Sequence, residues 1–85
     1  IYSNKILLIE DNTIVIKITN RILNELGYYN MTIAENGNDA LRLIDESFSL
    51  ILLDIGLPDM NGFDLCCMLR KNNKYKDMPI IAHTT

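Results

Sequence analysis

The sequence predicts an α/β fold in which a doubly wound parallel sheet carries helices on both faces. Four short apolar segments alternate with three segments of helical periodicity. Each interval between the apolar segments is long enough for the crossover connection that parallel strands require. We expect the first, third and fourth strands to be central in the sheet. The 85 residues correspond to one domain or part of one, because single-core domains cluster at roughly 100 to 150 residues.

The first strand is predicted at residues 5–9, where a continuous apolar run stops at two acids, Glu10 and Asp11. A run of this kind is typical of a strand that is buried on both faces. From Thr13 the pattern changes to that of an amphipathic helix, and Gly27 is the residue expected to end it. The apolar positions of this helix recur every fourth residue, at Ile14, Ile18, Ile22 and Leu26.

Two more pairs of strand and helix are predicted, and then a final strand. The second strand is expected at residues 31–34 and a turn at residues 35–38. The helix that follows is expected to have the apolar face Ala40, Leu41, Ile44 and Phe48. The third strand, residues 50–53, ends at Asp54. A loop at residues 55–62 leads into a helix at residues 63–70, and the fourth strand is predicted at residues 78–82. The inward side chains of this last helix are expected to be Phe63, Leu65, Cys66 and Leu69.

Composition and charge exclude several classes of function. Eight basic and eleven acidic residues give a net charge of -3 and a pI near 4.9, so we expect no general cationic surface for nucleic acid or anionic lipid. The longest apolar runs are far shorter than the roughly 20 residues of a membrane helix. Cys66 and Cys67 are adjacent, a spacing that rarely satisfies disulfide geometry, and this favours a reducing, cytoplasmic location.

Acidic residues follow two of the predicted strands: Glu10 and Asp11 follow the first, and Asp54 follows the third. If these strands are neighbours in a parallel sheet, the three carboxylates meet at one edge, where ligands bind in open α/β sheets. Like charges this close raise one another's pKa unless a cation compensates, and Mg²⁺ prefers oxygen ligands of this kind. For a single acid at the end of a strand, the favoured explanation is that the acid solvates the loop. Because acids end two different strands here, a site for a divalent metal ion is the favoured explanation.

Three segments resemble the response-regulator receiver domain, and they occur in that family's order. They are residues 9–12 (IEDN), 52–62 (LLDIGLPDMNG) and 79–84 (PIIAHT). The middle segment is the most specific, because it combines an acid, a proline, a glycine and the onset of a helix at fixed spacing. The resemblance implies a flavodoxin-like receiver fold with the strand order two, one, three, four, five. Residues 1–85 would then be a partial receiver domain with four strands and three helices, lacking the last strand and helices.

By this resemblance, Asp54 is the phosphoacceptor of a signalling domain that is not itself an enzyme. It would take a phosphoryl group from a phosphohistidine on a sensor histidine kinase or a histidine phosphotransfer protein. The resemblance also implies a Mg²⁺ site, with Mn²⁺ as the alternative ion, formed by the carboxylates of Asp11 and Asp54 and the backbone carbonyl of Gly56. Glu10 would contribute through a water molecule. Thr84 matches the hydroxyl residue that contacts the phosphoryl group and switches the domain surface.

The family's phosphoryl-binding lysine, which lies on a fifth strand, has no counterpart in this sequence. The resemblance therefore implies that residues 79–82 form an unprotected edge, and such an edge is a template for pairing with another chain. Two expectations follow. Either the 85 residues belong to a longer polypeptide, which would be a response regulator or a hybrid histidine kinase, or they dimerise through this edge.

Other interpretations of the acids have less support. A metal-dependent phosphatase with an aspartyl nucleophile is the main alternative. Such an enzyme would have a second Asp two residues after the first, where this sequence has Gly56. No glycine-rich nucleotide-binding motif follows the first strand. His83, the sole histidine, lies in the predicted fourth strand beside the site, and it is expected to pack there rather than to donate phosphate. Cys66 and Cys67 are expected to be small packing residues rather than a redox pair.

Overall fold

The computed structural model describes residues 4–83, and this part of the chain contains four strands and three helices in alternation. The strands are β1 (Lys5–Ile9), β2 (Asn30–Ala34), β3 (Phe48–Asp54) and β4 (Ile80–His83). The helices are α1 (Thr13–Glu25), α2 (Gly37–Leu43) and α3 (Gly62–Lys71). The predicted order of elements is therefore confirmed.

All four strands are parallel and form one sheet in the order β2-β1-β3-β4. β1 and β3 are central, as predicted. β4 lies at the edge of the described sheet, so the prediction of a central fourth strand is wrong for residues 4–83. Ile81 in β4 is 56% exposed, and the expected association of two chains through this edge stays a prediction.

The main core lies between the sheet and the helices α2 and α3. Its buried side chains are Leu7, Ile9, Ala34, Ala40, Phe48, Ile51, Leu53, Leu65, Leu69 and Tyr75. Side chains alternate between the two faces of a strand, so Ile6 and Leu8, which are also buried, face the other way. Leu23 of α1 lines a cavity together with Ile6 and Leu50, which places α1 on that second face. Helices therefore cover both faces of the sheet, and the predicted fold class is confirmed.

Helix α1 is present as predicted, but its isoleucine stripe is largely exposed. The helix begins after Asn12, whose side-chain oxygen accepts hydrogen bonds from the N–H groups of Ile14 and Val15. It is followed by Gly27, which has the positive φ of 96° that a glycine adopts at low cost. The exposed fractions of Ile14, Ile18, Ile22 and Leu26 are 68%, 55%, 51% and 67%. These apolar residues, which recur at every fourth position, therefore form a helix face that is largely exposed to solvent in residues 4–83.

The second helix ends earlier than predicted. α2 stops at Leu43, and Ile44 already has an extended backbone with ψ of 137°. The Asp45 carboxylate accepts a hydrogen bond of 2.8 Å from the N–H of Ser47, and local bonds of this kind compete with helical ones. We predicted that Phe48 lies on α2, and this prediction is wrong. Phe48 is the buried first residue of β3.

The third helix matches its predicted position to within one residue at each end. Leu65 and Leu69 are buried as predicted and Cys66 is half-buried, but the prediction of an inward Phe63 is wrong because this side chain is 62% exposed. Both cysteines are free thiols. Within residues 4–83, no helix combines the length and the apolar character needed to cross a bilayer.

Candidate functional site

Two carboxylates are buried side by side at the carboxyl edge of the sheet. Glu10 directly follows β1 and Asp54 ends β3, and these strands are hydrogen-bonded neighbours in which Ile9 lies opposite Leu53. Glu10 is 0% exposed and Asp54 is 1% exposed. Acidic side chains are rarely buried without a partner, and these two are the only charged side chains buried in the described part of the chain. The pocket they form is therefore the leading candidate for a functional site.

The two carboxylates have few hydrogen-bond donors around them. Oδ1 of Asp54 accepts a hydrogen bond of 3.0 Å from the N–H of Gly56. Oε2 of Glu10 accepts one of 3.2 Å from the N–H of Asn12. Oε1 of Glu10 is buried and has no hydrogen-bond partner among residues 4–83, and an unpaired buried polar atom is costly. A cation that lies against this oxygen would remove that cost.

The charge state of Glu10 reflects this environment. Burial raises the pKa of its carboxyl above the usual value of 4.5, and the adjacent Asp54 carboxyl raises the pKa further. The N–H of Asn12 and the imidazole of His83 lower it and offset part of that increase. Two carboxyl groups in one buried pocket resist simultaneous ionisation. A divalent cation would stabilise both carboxylates, so the donor set fits a metal ion that prefers oxygen ligands.

His83 adds an imidazole to the pair of acids. The register of β3 and β4 sets it opposite Asp54, and its Nε2 lies 3.7 Å from Oε1 of Glu10. One potential ligand atom from each of Glu10, Asp54 and His83 lies within 4.8 Å of the other two. We expected His83 to pack within the strand. Its position at the end of an apolar strand, like that of Asp54, predicts that it lies beside the site, but the approach of its imidazole to Glu10 was not predicted.

The remaining predicted site residues differ in their surroundings. Asp11 directly follows Glu10 but is exposed, and it is not part of the group formed by Glu10, Asp54 and His83. Gly56 lies in the loop after β3 and forms an antiparallel bridge with Asn61. Thr84 lies outside the described residues. The structure thus brings together Glu10 and Asp54, whereas the roles of Asp11, Gly56 and Thr84 stay predictions.

The loop between β3 and α3, residues 55–61, is anchored at two points. The N–H of Gly62 donates a hydrogen bond of 2.8 Å to the carbonyl of Ile55. A Cβ at position 62 would lie 2.6 Å from Cα of Ile55 and 2.7 Å from the carbonyl oxygen of Asp54. Only a glycine permits this close approach. The closure of the loop holds the residues that follow Asp54 against the start of α3.

The second anchor is Asp59, which the sequence did not single out. Its carboxylate accepts hydrogen bonds from the N–H groups of Gly37 and Asn38, at 2.7 Å and 2.9 Å. These two donors hold the pKa of Asp59 below the usual 3.8. Because both belong to the first turn of α2, Asp59 ties the loop to the neighbouring helix. A contact between such distant positions leaves no local sequence signal.

Comparison with known proteins agrees with this architecture. A sequence profile of the response regulator receiver domain matches residues 6–85, and the chain therefore belongs to the receiver domain family of two-component response regulators. It is similar to the chemotaxis protein CheY1 of Helicobacter pylori strain J99 / ATCC 700824, with 34% identity over 83 residues, which cover 95% of this chain and 67% of that protein. It is also similar to the transcriptional regulatory protein CpxR of Escherichia coli K12, with 37% identity over 81 residues, which cover 95% and 33%.

Solved structures show the same fold. The receiver domain of HemR from Leptospira biflexa has 36% identity and a TM-score of 0.84, and the match covers 94% of this chain and 63% of that one. The receiver domain of the sensor histidine kinase PA1611 from Pseudomonas aeruginosa PAO1, solved with a magnesium ion coordinated in its active-site cleft, has 31% identity and a TM-score of 0.84, with 93% and 65% covered. The chain spans about two thirds of the length of these receiver domains. The predicted family and the receiver fold are confirmed.

Proposed function

We propose that this chain is the phosphoacceptor module of a two-component or phosphorelay system. In this proposal Asp54 takes the phosphoryl group from a phosphohistidine on a sensor histidine kinase or a histidine phosphotransfer protein. The observation that carries the proposal is the pair of buried carboxylates, Glu10 and Asp54, at the carboxyl ends of adjacent central strands in a member of the receiver family.

The proposal assigns Mg²⁺ to the pocket, with Mn²⁺ as the alternative ion. The carboxylates of Asp11 and Asp54 and the backbone carbonyl of Gly56 would bind it, with Glu10 acting through a water molecule. When bound, the ion supplies positive charge that stabilises the transferring phosphoryl group. Support comes from Oε1 of Glu10, which has no hydrogen-bond partner within the described residues, and from the burial that raises the Glu10 pKa. The magnesium-bound receiver domain of PA1611 has the same fold.

Asp54 is suited to the role of nucleophile because phosphoryl transfer depends on alignment and charge neutralisation more than on a strong base. The N–H of Gly56 holds Oδ1, so we assign the attack on phosphorus to Oδ2. The Oδ2–P bond forms as the P–N bond to the donor imidazole breaks, and the imidazole nitrogen keeps the electron pair. A Cβ at position 56 would contact only Oδ1 of Asp54, at 3.9 Å, so the glycine leaves the approach to Asp54 open.

Transmission of the signal is assigned to Thr84. Its hydroxyl would donate a hydrogen bond to an oxygen of the phosphorylated Asp54, a contact that exists in only one of the two states. Such a differential contact is what a two-state switch requires. Because Thr84 follows β4 directly, its movement would change the surface at the exposed edge of the sheet.

The proposal is tested by incubating the protein with acetyl phosphate and Mg²⁺ and measuring its intact mass. The parent chain should gain one phosphoryl group as a base-labile acyl phosphate, and Asp54→Asn should gain none. Asp64→Asn is the matched control, because Asp64 is an exposed acid on α3, and it should be phosphorylated like the parent. Phosphate that persists in Asp54→Asn, or that resists base, would contradict the assignment.

A further inference from the structure

An imidazole nitrogen lies among carboxylate oxygens at the edge of the sheet. Nε2 of His83 is 3.7 Å from Oε1 of Glu10, and with Asp54 these side chains place three potential ligand atoms within 4.8 Å of one another. Metal bonds of about 2.0–2.2 Å to such ligands place the ligand atoms roughly 3–4.4 Å apart. Small side-chain movements would therefore allow all three to contact one ion.

A second observation is that the group contains a buried carboxylate oxygen without a hydrogen-bond donor in the described part of the chain. The side chain of Glu10 is 0% exposed, and in the described part of the chain its Oε1 has no hydrogen-bond partner. This oxygen is also the Glu10 atom that His83 approaches. The side chain of His83 is 35% exposed, so an ion can reach the group from the solvent on that side.

The ligand types in the group favour a different ion from Mg²⁺. Carboxylates, carbonyls and water suit Mg²⁺, whereas imidazole suits zinc, copper, nickel and iron. We propose that Glu10, Asp54 and His83 form a binding site for a divalent transition-metal ion of the imidazole-preferring class, and that this ion competes with Mg²⁺ for the two carboxylates. The inference rests on the proposed function in one respect, which is that the transition-metal site and the proposed Mg²⁺ site share Glu10 and Asp54.

The two sites differ in their third side chain, and this makes them separable. The proposed Mg²⁺ site uses Asp11, which is exposed and outside the group of three. The transition-metal site uses His83, whose imidazole is not a ligand type that Mg²⁺ prefers. Each third side chain can therefore be removed without removing a ligand of the other ion.

Titration calorimetry with Ni²⁺ and with Mg²⁺ tests the inference. Because thiolates also bind Ni²⁺, the measurements use a background in which Cys66 and Cys67 are both serine. His83→Leu should lower the Ni²⁺ affinity and leave the Mg²⁺ affinity unchanged, and Asp11→Asn should do the reverse. Loss of an outer-shell partner alone costs about 10–100-fold in metal affinity, so the loss of His83 should cost at least ~10-fold. Mg²⁺ in excess should displace Ni²⁺ from the parent chain.

A second measurement uses the parent side chains and does not depend on the folding of a variant. His83 is the sole histidine, so the imidazole resonances in an NMR spectrum belong to it alone. Ni²⁺ should broaden them at substoichiometric concentration, and excess Mg²⁺ should restore them. Equal Ni²⁺ affinity in the parent and His83→Leu, or imidazole resonances that Ni²⁺ leaves sharp, would overturn the inference. Ni²⁺ binding through His83 in a chain that takes up neither Mg²⁺ nor phosphate would support the site formed by Glu10, Asp54 and His83, overturn its competition with Mg²⁺ and contradict the proposed function.

Discussion

The carboxylate of Asp59 accepts a hydrogen bond of 2.7 Å from the backbone N–H of Gly37, which lies 22 residues earlier in the chain. Its second oxygen accepts one of 2.9 Å from the N–H of Asn38. The first N–H groups of a helix have no partner within the helix, and negative charge is favourable at that end. Asp59 therefore caps α2 from a distance and couples the loop after Asp54 to that helix.

Asp59→Ala should lower the free energy of unfolding, because the N–H groups of Gly37 and Asn38 lose their acceptors. Asp59→Asn keeps one acceptor oxygen, so its free energy of unfolding should lie between those of the parent and the alanine variant. The lowered pKa of Asp59 means that its stabilisation is present above the unfolded pKa of 3.8 and is lost as the pH falls through the folded pKa. The difference between parent and Asp59→Ala should thus shrink in acid, as measured by urea unfolding.

Asp77→Ala is the control for this prediction. Asp77 is an exposed acid in the segment between α3 and β4, so its removal changes the net charge by the same amount without removing a cap. It should leave the urea midpoint close to that of the parent. If Asp59→Ala and Asp77→Ala unfold at the same midpoint, the distant cap contributes nothing to stability.

Glu10 should make the metal-free protein less stable as the pH rises. Its folded pKa is raised above 4.5, so the folded state holds a proton that the unfolded state releases. The contribution of Glu10 to stability is then greatest below pH 4.5 and falls as the pH rises through the folded pKa. Glu10→Gln removes this titration, and its melting temperature in the presence of a chelator should exceed that of the parent increasingly as the pH rises from 4.5 through the folded pKa of Glu10. A constant difference across this range would show that Glu10 does not titrate with a raised pKa.

The order of elements and the location of the acids could be predicted from the sequence because both depend on local patterns. Apolar runs that end in acids mark β1 and β3, and the parallel topology brings their ends together. The prediction that Phe48 lies on α2 was wrong because Ile44 and Phe48 satisfy the helical spacing, whereas the turn that separates them depends on the hydrogen bond from Ser47 to Asp45.

The contacts of Asp59 and His83 could not be predicted in this way, since both arise from tertiary structure. Asp59 reaches Gly37 only after α2 and the loop at residues 55–61 are in place. His83 reaches Glu10 across β3, and the register of two strand pairs decides that approach. A residue type alone does not reveal such contacts, which is why the sequence predicted His83 beside the site but not its approach to Glu10.

Gly62→Ala should destabilise the fold and impair the site. The added Cβ would lie 2.6 Å from Cα of Ile55, and because backbone atoms cannot rotate away, the loop after Asp54 must shift. Overpacking of this kind typically costs about 1–3 kcal/mol. Gly56→Ala is the matched control, since its Cβ meets only Oδ1 of Asp54 at 3.9 Å, and an unstrained surface change costs within about 0.5 kcal/mol. Equal urea midpoints for the two variants would contradict the close approach at Gly62.

Asp11→Ala should weaken Mg²⁺ binding while the fold survives, because Asp11 is exposed and contributes charge and a proposed ligand rather than packing. An ion that binds only the folded state at about 100 times its Kd stabilises that state by about 2.7 kcal/mol. The parent should show this gain in thermal or urea unfolding, and Asp11→Ala should lose most of it at the same Mg²⁺ concentration.

The control for Asp11 is Glu35→Ala. Glu35 is an exposed acid that follows β2 at the same edge of the sheet, so its removal reduces the negative potential there without removing a proposed ligand. Glu35→Ala should retain nearly all of the gain in stability with Mg²⁺. If the two variants lose the gain equally, Asp11 acts only through the general potential of the edge. If Asp11→Ala keeps the full gain in stability with Mg²⁺, Asp11 is not a ligand, and Glu10 and Asp54 would have to bind the ion without Asp11.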